Sequence, residues 1–277
     1  MVARPFKPMI VKAAVVAAVG LSSLSASAAF TINLTFDPNV TAVMQPHFVA
    51  AKTFWEGIIT GYQPGITLTG FTIHSAAPAI DGVGGILGSA GPTFTTLQAG
   101  FRLTTAGAME FDSADIGNMI TNGIFGDVIQ HEMGHVLGIG TLWTDNIGVY
   151  VNGTGKYTGT QALTAYKAEF VGESAATWVP VELTGGPGTA NGHWAEVTGG
   201  AGPTGRVDGQ GRDMQFELMT GWLNAPTYLS QTTVGSLRDI GYLAFLAPIP
   251  EPGTWAMLLL GIPLLAGVAA KRRRKAV

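Results

Sequence analysis

His131-Glu132-Met133-Gly134-His135 is the stretch on which the reading of this chain turns. In a helix, residues four apart stack one turn above each other on the same face. Two imidazoles placed that way can bind one metal ion, and a glutamate directly after the first can act as a base on a metal-bound water. The chain has five histidines in 277 residues, and two of them stand in this pattern. The spacing therefore predicts a zinc site, with His131 and His135 as ligands and Glu132 as general base.

Working outward, Val128, Ile129, Met133, Val136 and Leu137 supply an apolar face, and Asp127 suits a first helical turn. The motif helix is expected to begin around residues 125–127 and to stop at Gly138, as a glycine at a helix C-terminus does. Upstream, residues 30–36 alternate apolar and polar, which predicts a half-buried strand. Phe48, Ala51, Phe54, Trp55, Ile58 and Ile59 recur at helical spacing and predict a helix ending near Gly61. Residues 66–73 and 109–112 read as further strands, with a short helix after Ser113. Downstream, helices are expected at residues 161–170 and 233–239. The glycine-heavy stretch 185–205 reads as a functional loop. Strands and helices of this kind predict an α+β fold.

The pair at 131 and 135 leaves the third ligand open. A downstream glutamate, Glu169 or Glu173, is one candidate. A third histidine is the other. In the metzincin arrangement the helix stops at a glycine three residues after the second histidine, where Gly138 stands, but the usual place of the third histidine, three residues on, is held here by Thr141, which is no tight zinc ligand. His193, 58 residues beyond His135, is a candidate for it. It lies in Gly192-His193-Trp194, and Glu217-Leu218-Met219-Thr220-Gly221 follows. His47 and His74 read as surface or otherwise satisfied residues. Asp81, Asp112, Asp145 and Asp208 show no calcium-loop spacing. The glycine run of residues 81–92 lacks the lysine and helix start of a phosphate-binding loop.

With these residues in view, the chain resembles the leishmanolysin family of metzincins. That family has His-Glu-x-x-His-x-x-Gly, a long insertion, a third histidine in a His-Trp context and a downstream methionine turn. The resemblance implies that His131, His135 and His193 bind one Zn2+ ion, that Glu132 is the catalytic base and that Met219 lies beneath the metal. It implies a metzincin-type zinc protease fold: a mixed twisted sheet with the active-site helix and an irregular C-terminal subdomain. Residues 84–92 then look like the edge strand along the cleft, with Gly85, Ile86, Leu87 and Gly88 binding extended substrate. The implied activity is that of a secreted zinc endopeptidase acting on protein or peptide substrates. The sequence departs from the eukaryotic members in having no cysteine, which excludes a cysteine switch. A glutamate-ligated zinc protease and a non-catalytic surface or matrix adhesion protein on a peptidase-like fold are the alternatives.

The two ends of the chain read as addresses. Arg4, Lys7 and Lys12, a short apolar run and Ala26-Ser27-Ala28 have the order of a signal peptide over residues 1–28. Residues 29–248 would form the catalytic domain. Residues 249–277 open with Pro250-Glu251-Pro252. Next comes an apolar run of about 25 Å if helical, near the lower limit for a membrane span. The basic cluster Lys271-Arg272-Arg273-Arg274-Lys275 follows. This order resembles the PEP-CTERM sorting signal of Gram-negative bacteria. It implies an exosortase-type partner, export across the inner membrane and a cell-surface, matrix or secreted destination, with membrane contact only through the tail. Residues 29–249 carry seven basic and 17 acidic side chains, about −10 net, which argues against nucleic acid as a partner.

Overall fold

The computed structural model of the chain describes residues 29–246, apart from residue 201. The expected signal peptide and sorting tail, with its apolar run, lie outside the described residues. Among those described, no helix is long and apolar enough to cross a membrane.

The chain starts with β1 (Thr31–Phe36), whose alternation buries Ile32 and exposes Thr31, Asn33 and Thr35. A parallel neighbour needs a crossover connection. The helix α1 (Gln45–Ile58) supplies it, running straight into the short β2 (Ile59–Tyr62), and β3 (Gly70–Ala76) pairs parallel with β1. A long hairpin follows, β4 (Gly88–Gln98) and β5 (Phe101–Phe111). The result is a mixed four-stranded sheet in the order β1-β3-β5-β4, with β4 antiparallel on the edge. After the short α2 (Ile116–Thr121), α3 (Phe125–Leu137) packs against β4, β5 and α1. Gly107 on β5 permits the close approach, since a Cβ there would come within 2.2 Å of Val136 Cγ1. The Trp55 indole donates to the Gln130 carbonyl at 3.0 Å, fastening α1 to α3.

The C-terminal half is mostly loop. It contains β6 (Lys156–Tyr157), α4 (Thr160–Glu169), β7 (Val179–Pro180), α5 (Gln231–Asp239) and β8 (Tyr242–Ala244). β8 returns to pair antiparallel with β2, tying this half to the first. One buried apolar cluster runs through both halves, from Phe48, Trp55 and Phe125 to Trp143, Trp194 and Tyr242. The mixed α+β architecture expected from the sequence is present.

Several local expectations need correction. The second strand starts at Gly70 rather than residue 66. Gly70 sits against β1, where a Cβ would lie 1.8 Å from the Thr31 carbonyl oxygen, so the ladder begins at that glycine. β2, expected as the end of a helix, is a strand because β8 supplies its partner. Most of the β4–β5 hairpin was not anticipated. Its two-residue turn, Ala99 (φ 49°) and Gly100 (φ 87°), has the positive φ values of a tight hairpin turn. The edge strand expected over residues 84–92 begins only at Gly88. Asp112 accepts N–H bonds from Asp81 and Gly82 at 2.8 and 2.9 Å, and Asp115 accepts one from Gly84 at 2.9 Å. The Ile86 N–H in turn bonds the Asp81 carboxylate, and the segment of Gly85, Ile86 and Leu87 is a loop rather than part of the ladder.

The same device recurs through the C-terminal loops, and it revises the meaning of the acidic composition. Seven of the described carboxylates are buried: Asp112, Asp115, Glu132, Glu182, Asp208, Asp213 and Glu217. Glu182 accepts from the N–H groups of Leu183, Thr184 and Glu196, and Asp213 from those of Thr204, Gly205 and Gln215. A buried charge is tolerated only when its lone pairs are filled. Hydrogen bonding, led by the Ala114 and Asp81 N–H groups, holds Asp112 down at about 2. In a chain without cysteine, these carboxylates fasten the glycine-rich loops.

Candidate metal centre

α3 carries the first two imidazoles and Glu132, and the helix ends where the glycine requires. Gly138 has φ 108°, its N–H bonds the His135 carbonyl at 3.1 Å, and the Ile139 N–H reaches the Gly134 carbonyl at 3.1 Å. This left-handed cap is the form a glycine allows. It also aims the Ile139 carbonyl back at His135 Nδ1, 2.9 Å away. Thr141, in the place where a nearby ligand was considered, instead donates its hydroxyl to the His135 carbonyl at 2.6 Å.

His193 arrives from the far loop. Its Nδ1 bonds the Thr189 carbonyl at 2.8 Å, and its own carbonyl accepts the Glu182 N–H at 2.9 Å. Two glycines let this loop touch the helix end. A Cβ on Gly140 (φ 76°) would lie 2.0 Å from the Gly192 carbonyl oxygen. Trp194 is fully buried against Trp143 and Tyr157, with ring centroids at 4.7 and 5.2 Å, so the residue after His193 is anchored in the core.

The methionine turn lies under the helix. The Leu218 carbonyl accepts from His131 Nδ1 at 2.6 Å, and the Met219 carbonyl accepts the Trp194 N–H at 3.0 Å. A Cβ on Gly134 would come 2.6 Å from the Met219 sulfur. The middle of the motif helix is therefore glycine because Met219 occupies the space beneath it.

The donor chemistry decides what this arrangement can hold. Each Nδ1 faces a carbonyl oxygen, which can only accept, so each Nδ1 carries the hydrogen and each Nε2 presents a lone pair. The three Nε2 atoms stand 3.1, 3.0 and 2.9 Å apart. Three lone pairs at that separation repel unless a cation lies among them. The centre of such a triangle is about 1.7 Å from each corner, just inside a zinc–imidazole bond of about 2.0–2.1 Å. The donor set and its spacing therefore fit a metal ion, which His131, His135 and His193 would hold. They are the one group of three or more metal-ligating side chains gathered this closely among the described residues. Burial, reinforced by the neighbouring rings, lowers the pKa of His135 and pushes that of His193 down to about 3, which keeps both neutral as ligands must be.

Glu132 is 6 % exposed and stands against the start of the edge strand, where a Cβ on Gly88 would meet its Cγ at 3.1 Å. Burial pushes its carboxyl up to about 8. No lysine or arginine lines the surrounding cleft, and a cation held by the three histidines would favour the ionised form of Glu132. The cleft has a volume of about 990 Å³. Gly85, Ile86, Leu87 and Gly88 are among its lining, as are Gly188–His193, Trp222, Leu223 and Asn224.

The remaining candidates are employed elsewhere. Glu169 caps α5, accepting from the N–H groups of Gln231 and Thr232 at 2.9 and 3.0 Å and from the Thr232 hydroxyl at 2.9 Å. Neither Glu169 nor Glu173 joins the three histidines. His74 pairs with Asp37 at 3.0 Å on the surface, and His47 packs against Phe125. Sequence reasoning did not foresee the parts played by Gly140, Thr189 and Glu182. The legible signal was the concentration of glycines and carboxylates around His193.

One consequence is testable by substitution. Gly140→Val puts a β-branched side chain at positive φ and into the Gly192 backbone. A loss of about 2–3 kcal/mol, or roughly 5–10 °C in Tm, is expected, with the affinity for an added metal ion falling at least about tenfold as His193 is displaced. Thermal melts and metal titration of the same sample check both. Lower stability with parental affinity would mean that this contact does not set the third ligand.

Residues 248–274 match the PEP-CTERM protein-sorting motif. No curated protein sequence matches the chain. The motif marks the chain for export in Gram-negative bacteria, with exosortase-type processing and a cell-surface or extracellular destination.

Proposed function

We propose that this chain is an exported zinc endopeptidase of the leishmanolysin-like metzincin kind. The observation that carries the reading is the convergence of three neutral imidazole Nε2 atoms beside a buried glutamate in an open cleft. His131, His135 and His193 would hold the ion. When bound, zinc supplies a Lewis acid that polarises a carbonyl and acidifies water.

The chain's own residues do the rest. The carbonyls of Leu218, Ile139 and Thr189 fix the ring tautomers and orientations, so the nitrogens are in place before any ligand arrives. A Glu132 carboxylate oxygen takes the proton from the attacking water and delivers it to the departing amide nitrogen. Gly88 leaves room beside Glu132, and β4 offers a sheet edge along which an extended peptide can lie. Met219 supports the helix from below and is no ligand.

Cleavage of a casein-type substrate by the exported protein tests the reading. A chelator is expected to abolish it, and one equivalent of zinc to restore it. Turnover that survives full metal removal, or its absence in a protein with one bound zinc, would overturn the assignment. The adhesion alternative predicts the second of those outcomes.

A further inference from the structure

Glu217 is a buried carboxylate, 1 % exposed, with no cation bonded to it. All its contacts are donors. Oε2 accepts the Met219 N–H at 2.6 Å. Oε1 accepts the Ser230 N–H at 3.0 Å, the Ser230 hydroxyl at 2.9 Å and the Thr233 hydroxyl at 2.6 Å. The Thr233 oxygen in turn receives the Trp194 indole N–H at 2.7 Å, so the donation runs from Trp194 through Thr233 to Glu217. Ser230, Thr233 and Trp194 are all fully buried.

The turn that Glu217 holds touches two of the three ligands. Its Leu218 carbonyl fixes His131, and its Met219 carbonyl binds the N–H of Trp194, next to His193. We propose that Glu217 is the positioning residue of the metal centre: through the methionine turn and through Thr233–Trp194, it sets His131 and His193 at ligating distance of each other. This inference rests on the metal-centre part of the reading above and does not depend on peptide cleavage.

The geometry makes glutamine a sharp probe. It keeps the shape, but one end of the side chain becomes an NH2 donor. At Oε2 that donor would face the Met219 N–H, and at Oε1 the Ser230 N–H. A hydroxyl can rotate to accept, whereas a backbone N–H cannot. Neither orientation of the amide therefore satisfies the pocket, and the turn must shift.

The full-length chain, loaded with zinc or cobalt, provides the test. Glu217→Gln is expected to weaken zinc binding by about 10–100-fold in a chelator competition, the range for lost groups that orient ligands. It is also expected to alter the visible absorption bands of the cobalt form, which report ligand geometry. Thr233→Val, which cuts the Trp194 branch and one of the four donors to Glu217, should give a smaller loss in the same direction, and Thr233→Ser should restore the parental value. A Glu217→Gln protein with a lower Tm but parental zinc affinity and cobalt spectrum would make the carboxylate merely structural and overturn the proposal. If that variant does not fold, parental affinity in Thr233→Val overturns it equally. Zinc binding without any cleavage by the parent protein would sink the peptidase reading and leave this comparison of affinities intact.

Discussion

Glu132→Ala is expected to leave a folded protein that binds one zinc and no longer cuts peptide bonds. The ligands do not depend on Glu132. Each is oriented by a carbonyl of its own, from Leu218, Ile139 and Thr189. Removing the carboxylate leaves no other free carboxylate in the cleft, since the other one lining it, Glu217, has both oxygens occupied. A general base contributes about 10²–10⁴-fold. A fall in kcat/KM on the order of 10³, about 4 kcal/mol of transition-state stabilisation, is the expected size. It should appear in kcat, because the proton moves only as the water attacks. Steady-state cleavage of a quenched peptide, beside metal analysis of the same preparation, reads both halves. Parental turnover by the alanine variant would end the assignment of Glu132 as base.

His193→Ala is expected to empty the site. Binding free energies for structural zinc are about 10–16 kcal/mol in small peptides, so one of three or four ligands carries roughly 4 kcal/mol, about 10³ in affinity. Glu169→Ala is the matched control. Its carboxylate caps α5, so its loss should cost about 1–2 kcal/mol of stability and leave zinc stoichiometry at one. The glutamate-ligated arrangement makes the opposite forecast, with zinc retained in His193→Ala and lost in Glu169→Ala. Metal content after gel filtration in dilute chelator separates them.

Legibility in the sequence followed the range of the interactions. The motif helix was expected from residues 125–127 to Gly138 and spans Phe125–Leu137, because its apolar spacing and glycine stop are local. β1, α4 and α5 fell within two residues of expectation for the same reason. The β4–β5 hairpin was mostly hidden. Its threonines, alanines and glycines carry little alternation, and what makes it a sheet is α3 packed across it. Residues 85–87 were read as strand because nothing local reveals that Asp112 and Asp115 hold the preceding N–H groups. The acidity was used to argue against nucleic acid as a partner, yet seven of the described carboxylates are buried, since a carboxylate's partners are backbone groups that no side-chain pattern announces.

By itself, the sequence placed two histidines and a glutamate together on one helix. A period of 3.6 residues places His131, Glu132 and His135 with no further information, and Gly138 says where their helix stops. Which group completes the triangle was decided only by tertiary structure. His193 lies on a loop with no period, 58 residues away from His135. Its place depends on the Gly140–Gly192 contact, on Trp194 in the core and on the carboxylates that fasten the loop. Those are long-range contacts between backbone and buried side chains, and they exist only once the two halves of the chain have packed together.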